Sequence, residues 1–327
     1  MATVTRTLRR GRTGAACLAL AAAAAGCGTD TIAGGGGGGA FVLGGSAHTI
    51  DVGPLTRSYR IYVPHHRPTT PGGVARSYPL IIMLHGSSGS PDDFRSTTRM
   101  DSLSEHSRFV VVYPAGVQGG GGLFPSDWNA GGCCGAAGRE QIDDVGFIRK
   151  LITEVSRQLP IDARRIYAAG FSDGGRLAHR LGCELSSTLA AVAVVSGSLT
   201  TTTCAPTKAV PLLAIHGTRD PEVAFDEPAG TPPARDVTGA GASLPPAVQF
   251  WLARNGCSAA TVTRPAADVA RTSFTACSGG ADVQFYTIEG GTHAWPGDVG
   301  GSGAQPPMSE LAASVVITQF FAKQQRR

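Results

Sequence analysis

The sequence predicts one α/β domain built on a doubly wound, mostly parallel β-sheet. Short apolar runs alternate with stretches of helical periodicity from about Ser46 to Gln319, and no internal repeat interrupts them. Most of the runs are almost continuously apolar, which is typical of strands that are covered on both faces. Such an alternation of strands and helices favours a single α/β domain over residues 46–327.

The elements follow from two patterns. Apolar residues recur at helical spacing over 142–159, the residues after Ser172 continue as a helix, and the stretch 310–323 forms a last helix. Seven apolar runs predict strands, at residues 57–64, 79–86, 109–116, 164–171, 190–197, 210–217 and 282–290.

The N-terminus predicts export. Four arginines within residues 6–12 precede an apolar run, Ala15 to Ala25, which is too short to span a bilayer and fits a signal peptide over residues 1–26. The run ends in "AAGC", which resembles a bacterial lipobox and predicts lipidation of Cys27, although Ala24 stands where lipoboxes usually carry leucine. The alternative is ordinary cleavage that leaves Cys27 as a thiol. Residues 27–45, rich in glycine, predict a flexible tether.

Charge excludes one class of partner. The formal net charge is +4, with 28 basic and 24 acidic residues, and four of the basic residues are the arginines of the signal. Removing them leaves 28 − 4 = 24 basic residues, so the mature chain is neutral. A neutral chain lacks the basic surface that nucleic-acid binding requires.

Export would place the cysteines in an oxidising compartment. Besides Cys17 in the signal and Cys27 at its end there are six, and no C-x-x-C or zinc-like His/Cys spacing occurs, so disulfides are favoured over a metal site. Six cysteines allow fifteen connectivities, and the sequence alone does not choose among them. From their placement around strands we expect Cys183 to pair with Cys204 and Cys257 with Cys277. Cys133 and Cys134 would then bond to each other or to another partner.

The stretch "GFSDGG" around Ser172 matches the G-x-S-x-G pattern of a nucleophile elbow. Glycine-rich sequences produce this pattern by chance, so its context decides. A predicted strand runs into Ser172 and a predicted helix leaves it, and Gly170 and Gly174 provide the small residues of a tight turn. The pattern therefore predicts that Ser172 is a nucleophile rather than an idle serine of a loop.

A serine nucleophile needs a base and an orienting acid, in the chain order Ser, Asp or Glu, His. His293 lies in a loop after the last predicted strand, whereas His216 ends a strand and His179 lies on the helix after Ser172. We therefore expect His293 to be the base. Asp220 follows a strand by three residues and is predicted to be the acid. Three carboxylates deeper in the same loop are rivals by type: Glu222, Asp226 and Asp236.

Stabilising an oxyanion requires two backbone N–H donors, one after the nucleophile and one in the loop after an early strand. The candidates are Asp173 and Ser87. The complete set, in this order, predicts the α/β-hydrolase fold.

Seven motifs together resemble the polyhydroxybutyrate depolymerase and feruloyl esterase-type family of secreted α/β hydrolases. The resemblance runs from about Tyr59 to Phe321 and implies a carboxylic ester hydrolase. Asp173 and Glu222 depart from the family pattern, since small and apolar residues are usual there. The motifs are "PLIIMLHGSSGS", "FVVVYPAG", "DWNAGGCCG", "DDVGFIRKLI", "RRIYAAGFSDGG", "IHGTRDP" and "EGGTHAWPG".

Other polar and aromatic residues have less specific roles. Asp143 and Asp144 begin a predicted helix. Two adjacent carboxylates could bind calcium, but no further oxygen ligands are spaced to complete such a site, so we interpret them as helix-start caps. Trp128, Asn129 and Trp295 are candidates for lining the substrate cleft. We expect no metal and no cofactor.

The leading hypothesis is a secreted serine esterase that acts through an acyl-enzyme, as a monomer that touches a membrane only through its lipid. A lipase or peptidase with the same triad is the nearest alternative, and a non-catalytic binding lipoprotein is the alternative from another class. The sequence stops just after its last helix, which leaves no room for a polymer-binding module. We therefore expect activity on soluble esters, such as short polyester oligomers or hydroxycinnamate esters.

Overall fold

A ten-stranded sheet forms the centre of the molecule. The computed structural model describes residues 40–118, 126–230, 244–297 and 311–326, which all belong to one compact unit. The strands of the sheet are β1 (Gly44–Val52), β2 (Leu55–Val63), β3 (Tyr78–Leu84), β4 (Val110–Pro114), β7 (Ile161–Phe171), β8 (Ala191–Val195), β9 (Leu212–Gly217), β10 (Ala259–Ala266), β11 (Val269–Thr275) and β12 (Val283–Ile288). A separate small ribbon pairs β5 (Val117–Gln118) with β6 (Ser126–Asp127).

The strand order is β1-β2-β4-β3-β7-β8-β9-β12-β11-β10. The six strands from β4 to β12 in this order run parallel to their neighbours, and the outer pairs on both sides are antiparallel. Each of the seven predicted strands is present. The carboxyl ends of the parallel strands lie at one edge of the sheet, which is where α/β proteins place their functional loops.

Helices cover both faces of the sheet. Successive residues of β3 point to opposite sides, so that Leu80 and Ile82 belong to one apolar core and Ile81 and Met83 to the other. Both cores are closed by helices, which explains why the parallel strands are continuously apolar. The helices are α1 (Pro91–Thr98), α2 (Met100–Ser107), α3 (Gly135–Arg139), α4 (Asp144–Gln158), α5 (Asp173–Glu184), α6 (Pro246–Asn255) and α7 (Ala313–Ala322).

α4 shows how the sequence sets the limits of a helix. The side chain of Asp143 accepts a hydrogen bond of 2.8 Å from the backbone N–H of Gly146, which caps the first turn as predicted. A stripe of buried residues that includes Ile148, Leu151 and Val155 packs on the sheet. The helix ends at Gln158, two residues before Pro160, which cannot continue it.

The folded domain begins earlier than the sequence indicates. The predicted tether extends to residue 45, but Phe41 is only 2% exposed and β1 begins at Gly44. Phe41 packs edge-on against Tyr59, and its backbone N–H donates to Gln158. Residues 41–45 therefore belong to the domain. The predicted signal peptide, Cys27 and most of the tether lie outside the described residues.

Within the described ranges, no helix combines the length and apolar character needed to span a bilayer. The fold is the α/β-hydrolase fold that the sequence predicts.

Candidate active site

Ser172 lies at a sharp turn between β7 and α5. Its φ of 54° and ψ of −122° place a non-glycine residue in a strained backbone conformation that is typical of a nucleophile elbow. Side chains on the neighbouring glycines would collide with backbone: a Cβ on Gly170 would strike the Gly174 carbonyl, and a Cβ on Gly174 would strike the Leu84 carbonyl. The glycines of the motif are therefore required by close packing between β7, α5 and β3.

His293 and Asp220 meet Ser172 at the same edge of the sheet. His293 Nε2 lies 2.9 Å from Ser172 Oγ, and His293 Nδ1 lies 2.9 and 3.0 Å from the two carboxylate oxygens of Asp220. Since a carboxylate only accepts, Nδ1 carries the proton and Nε2 is free to accept one from Ser172. The structure thus brings together the three residues that the sequence analysis selects.

Parallel pairing explains how residues so distant in sequence come together. Asp220 lies three residues beyond β9, and His293 lies five residues beyond β12, its parallel neighbour. Two backbone hydrogen bonds join the two loops, from Thr218 to Ile288 and from Arg219 to Gly291. This connection fixes the acid relative to the base.

The Asp220 carboxylate is buried and heavily hydrogen-bonded. Burial alone would raise its pKa, but hydrogen bonds from His216, His293 and the backbone N–H groups of Val223 and Glu222 outweigh burial and hold the pKa well below its ordinary value. Asp220 is therefore ionised at neutral pH. His216 is buried as expected, and its Nε2 lies 2.9 Å from the carbonyl oxygen of Val223 and 3.5 Å from Asp220.

The loop after β3 lies directly against Ser172. A Cβ on Gly86 would approach the Ser172 Cβ to 3.2 Å, so a larger residue here would crowd the nucleophile. Three hydrogen bonds tie the loop to residues 126–128. Ser87 Oγ donates to Asp127 Oδ1 at 2.5 Å, Ser88 N–H donates to the Ser126 carbonyl at 3.0 Å, and Trp128 Nε1 donates to the His85 carbonyl at 2.9 Å.

Asp127 is a site residue that the sequence analysis did not single out. Its second oxygen accepts from the backbone N–H of Ala136 at 3.3 Å, so one buried carboxylate links the Ser87 loop to the start of α3. The only sequence signal was its place in the motif "DWNAGGCCG". The role of the Ser87 N–H as an oxyanion donor stays a prediction.

Asp173 is the first residue of α5, where a backbone N–H has no intrahelical partner. Its side chain is buried, and burial raises its pKa. Arg176 offsets this charge, since its Nη1 donates to Asp173 at 3.0 Å and its Nη2 to Glu227 at 3.0 Å. The departure from the family pattern at Asp173 is thus accompanied by a cation one helical turn away, and this cation also reaches the Asp220 loop.

The three residues expected to line the cleft are instead packed inside the protein. Trp128 and Asn129 are 0% and 4% exposed, and Trp295 is 4% exposed. Trp128 holds the His85 carbonyl, Asn129 Nδ2 donates to the Ile142 carbonyl, and Trp295 Nε1 donates to Ser314. Their polar atoms form hydrogen bonds within the protein, so these side chains fix the backbone around the site and do not line it. A half-buried aromatic ring is provided by Phe171, whose ring centre lies 4.8 Å from that of His293.

Asp144 does not cap the helix as the sequence analysis expects. It is fully buried and pairs with Arg57 at 2.8 Å, while its other oxygen accepts from the Asn129 N–H at 2.7 Å. Asp143 alone provides the cap. The physical reason is that Arg57 lies 87 residues away in sequence, and only the fold brings the two together.

The described domain contains three disulfides. They are the two expected pairs, Cys183 with Cys204 and Cys257 with Cys277, and the bond between adjacent Cys133 and Cys134. In the described part of the chain, one group of potential metal ligands is close together, namely Cys133, Cys134 and Asp173. The two sulfurs are joined to each other, so neither is available as a thiolate ligand.

Comparison with known proteins decides the family. Residues 57–239, more than half of the chain, match the family described as esterase PHB depolymerase. The chain belongs to this family. The resemblance of the sequence motifs to this family is thereby confirmed.

Individual relatives agree with this assignment. The chain is 30% identical to feruloyl esterase B of Piromyces equi over 67% of this chain and 40% of that protein. It is 29% identical to feruloyl esterase C of Emericella nidulans over 49% of this chain and 54% of that protein. The chain thus spans about half the length of these curated relatives. The solved acetyl xylan esterase from Aspergillus awamori shares the fold, with a TM-score of 0.55 and 15% identity over 76% of this chain and 94% of that one.

Proposed function

We propose that this protein is a serine esterase that hydrolyses carboxylic esters through an acyl-enzyme, with Ser172 as nucleophile, His293 as base and Asp220 as orienting acid. The observation that carries the proposal is the 2.9 Å contact between His293 Nε2 and Ser172 Oγ, with Nδ1 of the same ring held by Asp220. A serine hydroxyl becomes a useful nucleophile only when such a base removes its proton.

The chemistry follows from the protonation states. His293 Nε2 accepts the Ser172 proton as Oγ attacks the ester carbonyl, and the ionised Asp220 stabilises the imidazolium that forms. The oxyanion of the tetrahedral intermediate accepts hydrogen bonds from the Ser87 and Asp173 N–H groups, at the start of α5 where the helix dipole favours negative charge. His293 then donates its proton to the leaving alcohol. Water activated by the same imidazole hydrolyses the acyl-enzyme.

The proposed substrates are soluble esters with either an aromatic or a short aliphatic acyl group. Relatives are named feruloyl esterases, and a structural neighbour is an acetyl xylan esterase. The half-buried Phe171 ring beside His293 offers an apolar surface for an acyl chain. Rates on methyl ferulate, 4-nitrophenyl acetate and a hydroxybutyrate trimer would rank these acyl groups.

Labelling with a fluorophosphonate probe tests the mechanism, because only an activated serine reacts. We expect one label per chain, on the peptide that contains Ser172, and none in Ser172→Ala. Ser196→Ala is the matched control, since Ser196 is buried at the end of the adjacent strand β8 and its Oγ has no hydrogen-bond partner among the described residues. It should label like the wild type. Labelling that persists in Ser172→Ala would contradict the proposal.

We further propose that the chain is exported and anchored through a lipid on Cys27. Three disulfides in the described domain support an oxidising compartment. Mass spectrometry of the mature N-terminus tests this, with a diacylglyceryl-modified Cys27 expected. Cys27→Ala should release the protein from the membrane fraction, and an unmodified N-terminus within the alanine run would replace anchoring with plain secretion.

A further inference from the structure

We infer that Glu222 makes the active site select against esters that carry a second, negatively charged group near the scissile bond. The inference rests on the proposed function of Ser172, His293 and Asp220. Glu222 is one of the two positions at which the sequence departs from the family pattern. The departure places a negative charge beside His293.

The backbone of Glu222 is fixed beside the triad. Its N–H donates to Asp220 Oδ1 at 3.0 Å, the same oxygen that lies 3.0 Å from His293 Nδ1. This hydrogen bond holds the residue at the mouth of the site whatever rotamer the side chain adopts.

The side chain reaches the reacting end of the base. Glu222 Oε2 lies 3.6 Å from His293 Nε2, the nitrogen that is 2.9 Å from Ser172 Oγ. The Glu222 side chain is 69% exposed, whereas that of His293 is 8% exposed, so the carboxylate lies on the solvent side of the imidazole. An ester bound at Ser172 therefore lies close to this charge.

Among the described residues, no lysine or arginine forms an ion pair with Glu222. The carboxylate pairs with His293, which is charged only when protonated. Arg176, one helical turn beyond the nucleophile, is shared between Asp173 and Glu227. Arg219 is exposed on the same loop and forms no ion pair with Glu222. The carboxylate therefore acts on the substrate largely uncompensated.

Repulsion at a few ångströms from an exposed carboxylate is modest but measurable. We expect a three- to tenfold effect, roughly, on an anionic substrate at low ionic strength. The same repulsion acts on the carboxylate product of hydrolysis and favours its release. A neutral ester is not repelled by Glu222 when it binds. Only the carboxylate product that it yields is repelled.

The test compares two substrates of similar length, 4-nitrophenyl butyrate and mono(4-nitrophenyl) glutarate, with uncatalysed hydrolysis subtracted. Any effect of Glu222 on the imidazolium is common to both substrates and cancels in the ratio of their kcat/KM values. Glu222→Gln is the informative variant because it removes the charge and retains the backbone N–H that binds Asp220. Asp226→Asn is the matched control, since Asp226 is an exposed carboxylate four residues further along the same loop.

In Glu222→Gln, we expect the ratio of glutarate to butyrate kcat/KM to rise about three- to tenfold, and the competitive inhibition constant of free butyrate to fall by a similar factor. Asp226→Asn should change both by less than about twofold. At 1 M salt, where the Debye length is about 3 Å, the difference between wild type and Glu222→Gln should shrink.

A ratio that is unchanged in Glu222→Gln, or changed equally in Asp226→Asn, would overturn the inference. This failure is distinct from failure of the proposed function. Butyrate hydrolysis that does not depend on Ser172 would contradict the triad, whereas Ser172-dependent hydrolysis with an unchanged ratio would contradict only the role of Glu222.

Discussion

Two loops complete the site around Ser172, and they are held in different ways. The loop after β9 carries Asp220, which contacts the base directly through two short hydrogen bonds. The loop after β3 carries Ser87, and its conformation is set indirectly by Asp127 and Trp128. The first loop supplies a charge to the base, whereas the second supplies a backbone geometry. Substitutions in the two loops should therefore have different kinetic signatures.

The carboxylates of the two loops, Asp220 and Asp127, also have different roles. Asp220 stays ionised because four donors surround it, so its charge is available to the imidazolium that forms during the reaction. Asp127 is buried behind the Ser87 loop, and its two oxygens accept hydrogen bonds from Ser87 Oγ and the Ala136 N–H. Asp127 therefore acts as a positioning residue, whereas Asp220 takes part in catalysis through His293.

Among substitutions that distinguish the two loops, the largest effect is expected for Asp220→Asn, which removes the charge from the base side. We expect kcat to fall by about 10³- to 10⁴-fold, because the amide favours the wrong tautomer of His293 and no longer stabilises its charged form. Steady-state kinetics on a 4-nitrophenyl ester measures this loss. A loss below about tenfold would show that the Asp220 contact with His293 matters no more to catalysis than the Asp127 contact with Ser87.

The same substitution gives a prediction for stability. The ordinary pKa of an aspartate is 3.8, and that of Asp220 in the folded protein lies well below it. A carboxyl with a depressed pKa stabilises the fold above its unfolded pKa and loses this contribution as pH falls through the folded pKa. Asp220→Asn should therefore lower Tm at pH 7, and the difference from wild type should diminish below about pH 4. A constant difference down to pH 2 would contradict the assigned hydrogen bonds.

A smaller effect is expected for Asp127→Ala, which disturbs the oxyanion side. Alanine offers no acceptor to Ser87 Oγ or to the Ala136 N–H, so both side-chain hydrogen bonds of Asp127 are lost. We expect kcat to fall about tenfold with little change in KM, because the oxyanion is stabilised only in the transition state.

A merely structural role for Asp127 would instead lower Tm without this split between kcat and KM. Ser87→Ala removes the hydroxyl and retains the backbone N–H, so it should reproduce part of the loss. The double variant should then cost no more than Asp127→Ala alone, because the hydrogen bond between Ser87 and Asp127 is already absent there.

The smallest effect is expected for Asp143→Ala, a carboxylate that belongs to neither loop. It removes the cap of α4 and should lower the free energy of unfolding by about 1 kcal/mol. The kcat/KM should remain within about twofold of wild type. Denaturant unfolding and kinetics on the same sample measure both, and a large loss of activity would show that removal of a remote carboxylate also disturbs the site.

The sequence predicts the central part of the fold because the signals there are local. The parallel strands β3, β4, β8 and β9 are mostly apolar, and Ser172, Asp220 and His293 each follow a predicted strand within a few residues. β1, β10 and β11 were not predicted. β10 carries almost entirely exposed residues and β1 alternates, since both lie at edges of the sheet where one face meets solvent.

The rest of the site depends on contacts between distant residues. Asp144 was expected to cap a helix, yet its partner Arg57 lies on β2. Trp128 was expected in the cleft, yet its indole fixes the carbonyl of His85, 43 residues earlier. No local pattern distinguishes a tryptophan that lines a cleft from one that supports a loop, because both are large apolar residues near a motif.

The central claim is that Ser172 and His293 act as one unit, and a double-variant cycle tests it most directly. We expect Ser172→Ala and His293→Ala each to lower kcat on a neutral ester by about 10⁴-fold or more, and the double variant to be no slower than either. Folding of each variant is checked by its Tm. Losses that multiply in the double variant, or a Ser172→Ala protein that retains most of its activity, would contradict the account.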